Sequence, residues 1–198
     1  MKAITVRAPW CIAIAAGAKP VENRTRPTSY RGPVAIHAAA SWAIQGGDDP
    51  RVRAWWWGDP AWRHRPSLES GDFAYAFRRV IAVTNLNGCH QAEPGCCTTP
   101  WADQPTAAVP IVWHLELADT VRIDPVGPLR GQLAVPWRLP VEAAAAVTAN
   151  YGLATAVASL GQGGLLSKVR AAFEEVDPAP GELVERSRRL VVGGDAGA

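Results

Sequence analysis

The 198-residue chain is 48% apolar and 19% charged, with a formal net charge of +2. That composition can bury one core of ordinary size without disulfides or metal. No apolar run reaches the ~18 residues of a membrane span, Arg7 and Pro9 interrupt any signal-peptide pattern, and four cysteines are too few for a disulfide scaffold, so a cytoplasmic protein is expected.

Residues 2–7 alternate in polarity and read as a strand. Pro9 suits the first turn of a helix, and residues 9–16, with Trp10, Ile12 and Ile14, are apolar nearly all round, which predicts a buried helix. Gly17 fits its C-terminal cap and Pro20 blocks resumption. Residues 19–31 are polar and extended, Gly32-Pro33 turns, and residues 34–37 form a short buried strand. A helix is expected to begin at 38–42, followed by a loop at 46–50. The stretch 51–66 holds four tryptophans and four arginines with neither a 2 nor a 3.6 period. Residues 74–86 are the best strand candidate, ended by the turn signal Asn87-Gly88. A long irregular loop at 88–110 carries Cys89, Cys96 and Cys97. Strands follow at 111–123 and 132–139, with a turn at 127–131 between them.

Beyond Pro140 an Ala-rich helix is expected at 141–149, then a second helix or a collapsed loop at 151–160. Residues 165–176 show an amphipathic stripe suited to docking on the barrel or, by weak self-association, on a second subunit. Residues 183–192 read as strand or helix, and 193–198 as a disordered tail. The expected fold is α+β: a small mixed β-barrel plugged by an early buried helix (1–140, with a Trp/Arg-rich insertion at about 45–66), then a helical extension (141–192).

Charge is unevenly placed. Residues 1–83 hold 12 basic and six acidic side chains, whereas residues 84–125 hold one and five. Nine tryptophans accompany 17 arginines and three lysines. GC-biased coding accounts for the arginine-to-lysine ratio but not for the asymmetry. A basic, Trp-rich first half points to an anionic or aromatic partner.

The most informative stretch runs from Gly17 to Arg26. A Pro20 turn brings Lys19 and Glu22 within about 7 Å, and an extended continuation puts Glu22, Arg24 and Arg26 on one side. A lysine, a carboxylate and guanidiniums so grouped can hold a phosphate or a base edge, move a proton if a pKa is shifted, or form a rim ion-pair ladder. Trp10 at the mouth of the cleft, and Trp55 and Trp57 beside Arg63, are candidate base-stacking residues; the alternative is that these rings fill the core.

With Pro9-Trp10, Gly17-x-Lys19-x-x-Glu22-x-Arg24, Tyr30-Arg31-Gly32-Pro33 and the strand ending at Ile36-His37-Ala38, the chain resembles the ASCH domains of the PUA-like superfamily, over roughly residues 1–140. The resemblance implies a small β-barrel with a cleft lined by Lys19, Glu22 and Arg24, and a link to RNA or nucleic-acid binding. It also implies alternatives: a ribonuclease, or an amidohydrolase of N4-acylated cytidine. Lys19 matches the lysine of the amidohydrolase subgroup, but Glu22 stands where that subgroup has threonine. The subgroup's later glutamate has only Glu69 or Asp72 as counterparts.

The spacing of Cys89, His90, Cys96 and Cys97 is not that of paired CxxC units, and adjacent Cys96 and Cys97 strain a tetrahedral site. No metal and no cofactor are therefore expected. A disulfide from Cys89 to Cys96 or Cys97 would need an oxidising compartment. Cys11 reads as a buried apolar residue and His37 as a hydrogen-bonded core histidine. The leading expectation is RNA or modified-nucleotide binding through Trp10, Lys19, Glu22, Arg24, Arg26, Trp55, Trp57 and Arg63. A metal-independent hydrolase using Lys19 and Glu22 is the first alternative, and a protein-interaction domain the second.

Overall fold

The structure is a computed structural model and describes residues 1–58 and 73–162. Arg63, Arg65, Glu69, Asp72 and the stripe at 165–176 lie outside those residues. The chain divides into two compact units, Met1–Ala154 and Thr155–Ala198. The described part of the second is the end of one helix.

The first unit is built on six strands: β1 (Lys2–Ala8), β2 (Val21–Arg24), β3 (Gly32–Trp42), β4 (Val80–Gln91), β5 (Trp113–Val126) and β6 (Trp137–Arg138). They form one mixed sheet in the order β2-β5-β4-β3-β1-β6. Among the described residues only β1 and β3 pair in parallel. The expected barrel is not present among the described residues: the sheet is open, with β2 and β6 as its edges and no ladder joining them. Proline explains the short second edge. Pro136 and Pro140 flank β6, and neither has an N–H to extend a ladder. The 132–139 strand accordingly shrinks to two residues.

Both faces of the sheet are covered, so β1 carries buried residues on both sides. Ile4, Val6, Val34, Ile36, Leu86 and Leu115 point into a core shared with α1 (Trp10–Ala15) and with Trp56 of α3 (Pro50–Gly58). Ala3, Ala35 and Val83 point the other way, against Val147 of α4 (Val141–Gln162). A short α2 (Ile44–Asp48) precedes α3.

Several boundaries move, each for a tertiary reason. Residues 38–42 continue β3 instead of starting a helix. Ala38 pairs with Val6 and exchanges backbone hydrogen bonds with the 78–79 segment, and sheet pairing outweighs alanine's helix propensity. The best strand candidate, 74–86, is displaced to β4, which runs straight through Asn87-Gly88. A Cβ at Gly88 would lie 2.3 Å from a Glu116 carboxylate oxygen, so this glycine makes room for a crossing side chain instead of a turn. The stretch 51–66 begins as helix α3. The two expected segments at 141–160 are one helix, with Gly152 in its interior.

Candidate functional site

Helix α1 ends where expected. Gly17 takes a left-handed φ of +74°, and the Ala18 and Lys19 amides both return to the Ala13 carbonyl, capping the helix. That cap aims Lys19 along the start of β2. Its ammonium donates to the Val21 carbonyl and, at 2.8 Å, to Glu22 Oε2. The period of two in β2 puts Arg24 on the same side as Glu22, and Arg24 Nη2 lies 3.1 Å from Glu22 Oε1. The same Nη2 donates to the Thr5 carbonyl of β1 at 2.7 Å. The open sheet is thus bridged by a side chain from its β2 edge to β1.

Lys19 and Glu22 are 4% and 7% exposed. Burial pushes the Glu22 carboxyl up, but the Lys19 ammonium and the Arg24 guanidinium outweigh it and hold the carboxyl below its ordinary range. Cys11 on α1 is fully buried; burial first, and Glu22 second, push its thiol well up. It is an inert core group, as expected.

Among the described residues, two depressions are lined by Arg24 and a third adjoins one of them at Leu133. One of about 690 Å³ fills the seam between the sheet's two edges, lined by Arg24, Thr25, Arg26 and Pro27 on one side and by Leu133, Ala134 and Val135 on the other. A second, of about 640 Å³, shares Arg24 and Thr25 and adds Asn23, Asp103, Gln104 and Thr106. A third, of about 510 Å³, shares Leu133 with the seam and adds Thr5, His37, Arg78 and Arg130. Neither Lys19 nor Glu22 lines any of them; the pair is buried, and Glu22 holds Arg24. Arg24 Nε is buried without a hydrogen-bond partner.

Fixed side chains hold the walls. Asn23 donates to the Trp101 carbonyl at 2.9 Å and accepts from the Asp103 amide at 3.1 Å, tying the 101–103 loop to β2. In the third depression His37 is 1% exposed, and burial holds its imidazole below the ordinary range despite carbonyl hydrogen bonds. In that neutral form Nε2 donates to the Leu129 carbonyl and Nδ1 accepts from Thr5, whose hydroxyl in turn accepts from the Trp137 indole. Arg78 has a left-handed φ of +59°, a conformation that costs a non-glycine residue ~1 kcal/mol or more.

The other expected site residues are placed differently. Trp10 is half-buried and donates to Asp49. Trp55 is half-buried against the core, Trp56 is fully buried, and Trp57 is 41% exposed with Arg53 over its ring. Arg51 is held by Asp49 at 2.7 Å and Asp103 at 2.6 Å, so its charge is spent within the fold.

A second cluster, which sequence spacing did not assemble, lies on β4 and β5. His90 and His114 are direct cross-strand partners, with ring centroids 5.2 Å apart. Cys96 and Cys97 reach them from the loop after β4. Cys89 points away, its sulfur facing the Thr28 amide, and all four cysteines are free thiols. His114 was the signal missed: in a long strand only the register shows which residue meets His90.

No protein-family model matches the chain, and no curated protein matches it. Among solved structures it is similar to the crystal structure of an ASCH protein from Zymomonas mobilis, at 15% identity and a TM-score of 0.46 over 75% of this chain and 93% of that one. A Tyr-to-Phe variant of that protein matches at 13% identity and a TM-score of 0.42, covering 75% and 96%. A Ser-to-Ala variant matches at 14% and 0.45, covering 75% and 94%. Among the described residues no helix is long and apolar enough to cross a membrane.

Proposed function

We propose that the protein binds RNA or a nucleotide-like ligand in the seam between the two sheet edges. The observation that carries this reading is the placement of Arg24 and Arg26 in a cleft of nucleoside size, flanked by depressions that add Arg78 and Arg130 on one side and Asn23 and Gln104 on the other. Pockets of about 300–1,000 Å³ suit small ligands. Edge strands leave backbone donors and acceptors unpaired, so the seam offers hydrogen-bonding groups for a base edge beside guanidiniums for phosphate. The buried Lys19–Glu22 pair supports binding over catalysis, because the two charges are paired with each other and neither residue lines the cleft.

The test is fluorescence anisotropy with a short single-stranded RNA across a salt series. Four engaged arginines predict a slope of log K on log salt of about −3, at roughly 0.7 per neutralised phosphate on a single strand. Arg24→Gln, Arg26→Gln and Arg130→Gln should each lower the slope by about 0.7. A slope near zero, or one untouched by these substitutions, refutes the reading. Turnover of N4-acetylcytidine or of the RNA that Lys19→Arg abolishes while binding stays unchanged would replace it with the hydrolase, since arginine keeps the charge but cannot act as a base.

A further inference from the structure

The structure assigns a zinc site to His90, Cys96, Cys97 and His114, independently of what the seam binds. One donor atom from each lies within 4.8 Å of the other three. Cys96 Sγ is 3.4 Å from His114 Nδ1, Cys97 Sγ is 3.4 Å from His90 Nε2, and Cys97 Sγ is 3.5 Å from His114 Nδ1. With Zn–S near 2.3 Å and Zn–N near 2.0–2.1 Å, a tetrahedral ion has S···N edges of roughly 3.6 Å. Three of the four S···N edges therefore already stand near the required length, and every other separation is within 4.8 Å.

The surrounding groups fit the same assignment. The outer nitrogen of each ring has an acceptor of its own: His90 Nδ1 faces Glu116 Oε1 at 2.8 Å, and His114 Nε2 faces the Asp103 carbonyl at 2.9 Å. Those partners fix the tautomers, so both inner nitrogens turn a lone pair toward the two thiols. This carboxylate or carbonyl behind each histidine is the usual support of zinc-binding imidazoles. Gly88 belongs to the support, because only a missing Cβ lets the Glu116 carboxylate cross β4 to His90.

Adjacent cysteines do not obstruct the site. Gly95 takes a left-handed φ of +79°, and the Cys96 amide closes the turn onto the Glu93 carbonyl. That sharp turn brings both sulfurs to the ring nitrogens. Two thiolates and two imidazoles suit zinc better than the hard cations that prefer oxygen. Binding releases two thiol protons, and the two thiolates neutralise the dication. Four protein donors leave no open position, so the ion is structural, not catalytic. It would tie the loop after β4 to the start of β5, and His114 in turn holds Asp103 in the wall of one depression.

The test uses the full chain with its thiols kept reduced. Elemental analysis should find one zinc per chain. Cobalt substitution should give the strong visible bands of a tetrahedral ion together with a thiolate-to-cobalt charge-transfer band. Cys96→Ser, Cys97→Ser and His90→Ala should lose stoichiometric metal, whereas Cys89→Ser should keep it. Glu116→Gln and Gly88→Ala, which leave all four ligands in place, should weaken zinc by about 10- to 100-fold. Absence of zinc from the reduced wild type, a cobalt spectrum without the thiolate band, or unchanged binding in both Cys96→Ser and Cys97→Ser would each overturn the assignment. Because the first two readouts use the wild type, a variant that fails to fold does not rescue it.

Discussion

Glu22→Gln is expected to destabilise the first unit by about 3–5 kcal/mol, the loss typical of breaking a buried ion pair from one side. The substitution keeps the shape but leaves the Lys19 ammonium, 4% exposed, with neutral acceptors only. Arg24 also loses its carboxylate partner. For a chain of this size the loss corresponds to a fall in Tm on the order of 10 °C. Adding Lys19→Met should restore part of it, because removing both partners leaves no unpaired charge. A double-mutant cycle by thermal or urea unfolding reads the coupling directly. Equal stability of wild type and Glu22→Gln would mean that the pair is not buried as described.

The same residue sets an acid limb. The Glu22 carboxyl is held below its ordinary value of 4.5 in the folded chain, so the unfolded chain takes up the proton first as pH falls. Its stabilisation is complete above the unfolded carboxylate value and is lost as pH drops through the lower folded value. The stability gap between wild type and Glu22→Gln should therefore be widest near neutral pH and narrow below about pH 4. A gap that stays constant to pH 2 would assign the effect to packing instead.

Local signals located the start of the chain well. The alternation in 2–7, the apolar run after Pro9 and the capping position of Gly17 all depend on neighbours in sequence, and β1, α1 and the Lys19–Glu22 approach follow from them. Pairing over long distances was not legible. Alanines 38–40 carry no strand signal of their own; β1 on one side and the 78–79 segment on the other make them one. Asn87-Gly88 reads locally as a turn, yet Gly88 serves the Glu116 side chain from β5. Sheet closure is equally non-local. Pro136 and Pro140 were visible, but only the strand order shows that they leave an edge facing β2 across a gap.

The candidate site divides the same way. Glu22 and Arg24 share a side because of strand period alone, so their grouping was readable. That Arg24 lines two depressions while Lys19 and Glu22 line neither depends on tertiary packing that no local pattern displays. Spacing argues against a metal because Cys89, His90, Cys96 and Cys97 are not paired CxxC units and two of them are adjacent; His114, 17 residues from Cys97, is not part of that pattern. Register brings His114 opposite His90, and a left-handed glycine turns the cysteine pair toward both.

The tryptophan triplet yields the second large effect, because helix α3 sends its rings to different environments. At about 100° per residue, Trp55, Trp56 and Trp57 cannot share a face. Trp56 is fully buried, with its ring 5.1 Å from Phe73 and 5.8 Å from Trp55 in edge-to-face contacts. Trp57 is 41% exposed beside Arg53. Trp56→Ala opens a large cavity in the core shared with Ile14 and Leu86, and should cost about 3–5 kcal/mol in urea unfolding. Trp57→Ala removes little buried surface and should stay within about 0.5 kcal/mol of wild type. If the exposed ring stacks a base, the same substitution should weaken single-stranded RNA binding by about 1–3 kcal/mol, roughly five- to 150-fold, without altering the salt slope, because stacking neutralises no phosphate. Unchanged affinity would confine recognition to the seam and leave Trp57 as surface. A large stability loss from Trp57→Ala, or a small one from Trp56→Ala, would mean that α3 presents the opposite face to the sheet.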